Sequence, residues 1–115
     1  MNWILLVEFS YSLAAIRAEI LEPLGRAIKV VVGSTNAVNC KVESRSISLI
    51  IIGHGAPWAE RRELIKCLQQ RMPGVPIVAL LRKSDSDFPE VTFNCPADNP
   101  PKWINMVRQA LGGIQ

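Results

Sequence analysis

Ile47-Ser-Leu-Ile-Ile-Ile-Gly-His-Gly-Ala-Pro57 is the stretch on which the reading of the chain turns. A nearly unbroken aliphatic run stops at Gly53-His54-Gly55, and that histidine is the only one present. An apolar run of this length, bounded by turn residues, predicts a strand buried on both faces. Such strands belong to parallel sheets covered by helices, where ligands and chemistry gather at the carboxyl ends of the strands. The tip at Gly53 is therefore the first place to look for function.

The same grammar extends to either side. Residues 3–7 are an apolar run stopped by Glu8, and residues 28–32 are a second, closed by Gly33-Ser-Thr-Asn36. Residues 75–81 predict another fully apolar strand, and residues 91–94 a short one. Ser10-Tyr-Ser12 offers N-cap residues before an amphipathic stretch over 13–24, where Leu13, Ile16, Ile20 and Leu24 follow helical spacing. Pro23 predicts that this helix ends a turn early, before Gly25. The best helix spans 58–72, with Leu64, Ile65, Leu68 and Met72 inward and Arg61, Arg62, Glu63 and Lys66 outward. A last one spans 102–111, with Ile104, Val107 and Leu111 inward, and the polar segment 36–46 has room for a short helix but little periodicity. Strands alternating with helices predict one α/β domain over 1–115, a flavodoxin-like doubly wound five-stranded parallel sheet of order 2-1-3-4-5.

Composition narrows the function classes. With 115 residues, 49% of them apolar and 20% charged, the chain suits a soluble domain with one core. The net charge of +3 is small, and Arg61, Arg62 and Lys66 are interleaved with Glu60 and Glu63, so a solvated helix face is expected and direct nucleic-acid binding is not. Cys40, Cys67 and Cys95 are odd in number, far apart and without a C-x-x-C pair, which argues against a disulfide framework or a zinc site. The apolar start lacks a basic lead and is interrupted at Glu8, so neither a signal peptide nor a membrane span is expected, and the setting is cytoplasmic.

Three signatures, in order, give the chain a family likeness. Ile4-Leu-Leu-Val-Glu8, Ser48-Leu-Ile-Ile-Ile-Gly-His-Gly-Ala-Pro57, and Pro76-Ile-Val-Ala-Leu-Leu81 followed by Asn94-Cys-Pro96 resemble successive strands of the receiver domain of bacterial response regulators, CheY-like in fold. The resemblance covers nearly the whole length. It implies a carboxylate nucleophile at the third strand, acids that hold a divalent cation, and a hydroxyl and a lysine that read out the phosphoryl group. Carried over by position, Glu8 matches one metal-binding acid and Phe9 stands where the second would be. Gly53 replaces the nucleophilic aspartate, Leu81 the switch hydroxyl, and Cys95 the lysine. One carboxylate is a poor Mg²⁺ site. The resemblance also implies a shortened or missing fourth helix, because only 13 residues separate Leu81 from Cys95.

The expectation is a phosphorylation-incompetent pseudo-receiver, not an enzyme and without cofactor, acting through a protein partner or homodimer. Resemblance to activators of the NtrC type implies the amino-terminal regulatory domain of a larger regulator, with a linked output domain. Apolar strand surface bared by the lost helix is expected to be where a partner docks. Two rivals stand beside it: an enzyme or phosphotransfer protein using His54, and a ligand-sensing module using the emptied pocket around Gly53. His54 itself reads as a surface-loop residue flanked by glycines for turn geometry, and Cys95 as a small apolar filler. Glu8 is expected to pair with Arg82 or Lys83. Trp58 and Trp103 begin helices and either pack on the body or lie at an interface.

Overall fold

A computed structural model describes residues 3–41 and 46–112. Its strands are β1 (Trp3–Glu8), β2 (Ala27–Val32), β3 (Ile47–Ile52), β4 (Ile77–Leu81) and β5 (Phe93–Pro96). Its helices are α1 (Tyr11–Leu21), the short α2 (Ser34–Val38), α3 (Trp58–Arg71) and α4 (Pro100–Ala110). All strand pairings are parallel, in the order β2-β1-β3-β4-β5. The expected flavodoxin-like doubly wound sheet is thus present, with β2 and β5 at its edges.

Alternation along the strands creates two cores. Leu5, Val7, Ile50, Ile52, Ile77 and Ala79 meet Ala37, Leu64, Ile65 and Leu68 under α2 and α3. Ile4, Leu6, Leu49, Ile51, Val78, Leu80 and Cys95 meet Leu21, Trp103 and Val107 under α1 and α4. Each fully buried aliphatic side chain is worth about 1.5–3 kcal/mol, so the central strands β1 and β3 dominate the apolar driving force.

Several expectations need correction. Pro23 does end α1 early: a 3₁₀ turn at Glu22–Leu24 follows Leu21. The buried stripe of α1, however, is Ala14, Arg17 and Leu21, while Ile16 is 54% exposed. Small alanines let the helix approach the sheet along the Ala14–Arg17–Leu21 line, which rotates the isoleucine outward. On α3 the apolar face is as expected, but Arg61 is fully buried with it. The last strand begins at Phe93, two residues later than the apolar run suggests.

Among the described residues no helix stands between β4 and β5; residues 82–92 make the crossover as a loop. The loop covers the sheet instead of baring it, contrary to expectation. Phe88 is buried and stacks on Trp58 at 5.1 Å between centroids, and Trp58 Nε1 donates to Ser86 O at 2.8 Å. Asn94 grips the Phe88 backbone from both sides, accepting from its N–H at 2.9 Å and donating to its carbonyl at 3.1 Å. Arg62 pairs with Glu90 at 2.8 Å, and Gln69 donates to Glu90 O at 2.7 Å. Trp103 is fully buried under α4. Among the described residues, no helix is long and apolar enough to cross a membrane.

Candidate functional site

The strand end is built by register. Val7 faces Ile52 across β1 and β3, and Gly53 N donates to Val7 O at 2.8 Å, which sets Glu8 beside Gly53. Continuing the alternation of Ile4 and Leu6, Glu8 turns to the α1 side, and Gly53 continues that of Leu49 and Ile51 to the same side. The result is direct occlusion: a Cβ placed on Gly53 would fall within the Glu8 carboxylate. The volume in which a side chain at 53 would begin is already filled.

Glu8 is fully buried and paired with Arg17 of α1, which donates through Nη1 to Oε2. Its Oε1 is buried with no hydrogen-bond partner. Burial pushes the Glu8 carboxyl above the usual range, opposed by the Arg17 guanidinium and the Phe9 backbone N–H. Nη2 of Arg17 lies 3.0 Å from His54 Nδ1. A guanidinium can only donate, so this contact assigns the neutral imidazole with its proton on Nε2. Burial first, then the charges of Arg17, Arg82 and Arg61, lower the His54 pKa, with Asp85 acting the other way.

These contacts revise the sequence reading. His54 is half-buried and bonded to Arg17, not a free surface residue. Neither Gly53 nor Gly55 adopts a positive φ. Close approach requires them instead: Glu8 occupies the space at Gly53, and a Cβ on Gly55 would lie 3.2 Å from Phe9 Cβ. Glu8 does not pair with Arg82 or Lys83, because it faces α1. Arg82 donates to Ala56 O at 3.0 Å through Nη2, and its backbone N–H donates to Asp85 at 2.8 Å.

Of the other expected positions, Phe9 packs against the α2–α3 core, and Leu81 closes the end of β4 on the same side. Cys95 lies fully buried on the opposite face of the sheet, and burial pushes its thiol up. Glu8, Gly53 and His54 therefore form one cluster, while Cys95 belongs to the core. A cleft of about 270 Å³ remains beside the cluster, lined by His54, Leu81, Arg82, Lys83, Ala97 and Asp98.

The residue that sequence reasoning missed is Arg17. Its signal was its place in the Ala14–Arg17–Leu21 stripe, a cation at an inward helical position that needs a buried carboxylate. A divalent cation does not fit these residues: the single carboxylate is already matched by a guanidinium. Among the described residues no three His, Cys, Asp or Glu side chains come together as a metal site.

No protein-family model matches the chain, and no curated protein does. Solved structures do. The signal receiver domain of an HD domain-containing protein from Pseudomonas fluorescens Pf-5 superposes with a TM-score of 0.81 at 19% identity, over 97% of this chain and 95% of that one. The response regulator TrrA from Thermotoga maritima, in complex with Mg²⁺ and BeF, gives 0.78 at 18% identity, over 96% and 99%. NtrX from Brucella abortus, in complex with ADP, gives 0.79 at 15% identity; the match takes 96% of this chain but 26% of that one. The fold is that of response-regulator receiver domains.

Proposed function

We propose that this receiver-fold domain is a phosphorylation-incompetent signalling module, a pseudo-receiver that works through protein–protein contact. The observation that carries the reading is the occlusion at Gly53. The position where the fold would carry an acceptor has no side chain, and the Glu8 carboxylate leaves no space for one. Aspartyl phosphorylation needs a carboxylate nucleophile and a cation beside it. Here the carboxylate beside Gly53 faces Arg17.

Incubation with acetyl phosphate, or with Mg²⁺ and beryllofluoride, is expected to leave the intact mass and the Tm unchanged. Phosphorylation, or clear stabilisation by beryllofluoride, would overturn the reading. As a non-enzymatic cytoplasmic module the domain acts by contact, with a second copy or with an output domain on the same polypeptide. NtrX, in which the matching part is 26% of the chain, is an example of a receiver fold within a longer protein. Sedimentation of the domain over a concentration series tests self-association, and the length of the native gene tests the linked output domain.

A second reading has one observation in its favour, the cleft beside His54 with Arg82 and Lys83 on its wall. A small anionic ligand would suit it. A thermal-shift screen of small carboxylates and phosphates is the test, and stabilisation lost in Lys83→Ala would establish it. The space around Gly53 itself is filled by Glu8 and cannot serve as that pocket.

A further inference from the structure

Three facts meet at the Glu8 carboxylate. It is fully buried, one of its oxygens has no hydrogen-bond partner, and a side chain at 53 would overlap it. A buried carboxylate must be neutralised by a proton, a bound cation or a basic side chain. Here α1 delivers the basic side chain, since Arg17 sits on the helix stripe that faces the sheet between Ala14 and Leu21.

We propose that Arg17 is a built-in cation. Its guanidinium holds the place beside Glu8 that a dissolved cation would otherwise take, and Gly53 is the residue that leaves Glu8 room to meet it. Glu8, Arg17, Gly53 and His54 then act as one lock across β1, α1 and the β3–α3 turn. His54 completes it by accepting from Nη2 at 3.0 Å, which leaves the guanidinium tied at both ends. The strand end is fixed in a single state that no dissolved metal sets. This lock rests on the pseudo-receiver reading for its purpose, though not for its geometry.

Taking the guanidinium away leaves the need of the carboxylate in place, and a small cation can then supply it. Thermal unfolding of the wild type and of Arg17→Ala, at about pH 8 where an unpaired carboxyl ionises, is compared with and without Mg²⁺ or Ca²⁺ at tens of millimolar. The wild-type Tm is expected to be indifferent to either metal. Arg17→Ala is expected to melt lower and to regain about 5 °C with the metal.

Glu8→Gln with Arg17→Gln removes both charges, so it is expected to fold and to ignore the metals. Should Arg17→Ala not fold, Arg17→Gln carries the same comparison. The lock is overturned if the wild type is stabilised by Mg²⁺, if the folded single variant is as indifferent as the wild type, or if the double amide still responds. Phosphodonor treatment of the wild type tests the pseudo-receiver reading separately, so either can fail alone.

Discussion

Two arginines lie buried against opposite faces of the sheet, and their surroundings differ in kind. Arg61 of α3 has a partner beside each of its three nitrogens, although Nη2 meets Asp85 as an ion pair without hydrogen-bond geometry. Its Nε donates to Ala56 O at 2.8 Å, Nη1 to Leu80 O at 3.4 Å, and Nη2 pairs with Asp85 at 2.8 Å, while the guanidinium lies 5.3 Å over the Phe88 ring. Burial alone would raise the Asp85 pKa, but the Arg82 N–H and Arg61 outweigh it and hold the carboxyl below its usual range. Arg17 is different. Its carboxylate is pushed up instead of down, one carboxylate oxygen is idle, and its second acceptor holds only while His54 is neutral. Each site leaves one buried polar atom without a hydrogen bond, so the contrast lies in the partners: two carbonyls, a carboxylate and a ring face for Arg61, a carboxylate and a neutral imidazole for Arg17. Arg61 props the loop that stands in for a helix; Arg17 guards the strand end.

Arg61→Ala tests that contrast with the largest effect. It strands Asp85 and undercuts Phe88, so urea unfolding is expected to show a loss of about 3–5 kcal/mol, with Trp58 fluorescence reporting a loosened loop. A loss below about 1 kcal/mol would erase the distinction between the two sites. Gly53→Ala comes next. Overpacking against Glu8 is expected to cost about 1–3 kcal/mol, and most of that cost is expected to vanish in a Glu8→Ala background. Additive effects in that cycle would mean that the glycine is not there for the carboxylate. Trp58→Leu, which removes the stack on Phe88 and the bond to Ser86, is expected to cost about 1 kcal/mol and to leave the strand end unchanged in amide NMR spectra.

The smallest effect is in pH dependence. The folded state holds His54 below its usual pKa, so between that lowered value and the free value the unfolded chain binds the extra proton. Stability from this residue is therefore present above the ordinary histidine range and lost as pH falls through it. Glu8, raised in the fold, acts with the opposite sign: its contribution is present in acid and declines as pH rises through the folded value. His54→Gln is expected to flatten the acid-side slope of a Tm-against-pH curve. An unchanged slope would place the titration elsewhere.

What the sequence made legible follows from periodicity. Residues 47–52 coincide with β3 because an unbroken apolar run has few other homes, and the sheet order followed from strands alternating with helices. The shortened or missing fourth helix followed from the family resemblance, given the 13 residues between Leu81 and Cys95. The inward turn of α1 was not legible, because Ile16 outweighs Ala14 on any hydropathy count although the alanines set the approach to the sheet. Arg61 was read as outward and Arg17 was not singled out, because their partners Glu8 and Asp85 lie nine and twenty-four residues away in sequence. Ion pairs across elements depend on register and on which way a strand's last side chain turns. Glycines 53 and 55 were read as turn formers when close approach was the cause, a distinction that needs the neighbours in place.

The filled space at Gly53 has an evolutionary consequence. A single base change turns some glycine codons into aspartate codons, so an acceptor at this position is formally one step away. In this fold that step meets the Glu8 carboxylate, both as an overlap and as a second negative charge. Glu8 would have to shrink first, leaving Arg17 buried and unpaired in the interval. Each intermediate is expected to be less stable than its parent, so the path to an acceptor at this position crosses a valley. A library randomised at both positions and selected for folding should recover Gly53→Asp only alongside a smaller residue at position 8, a ratchet written into one strand end.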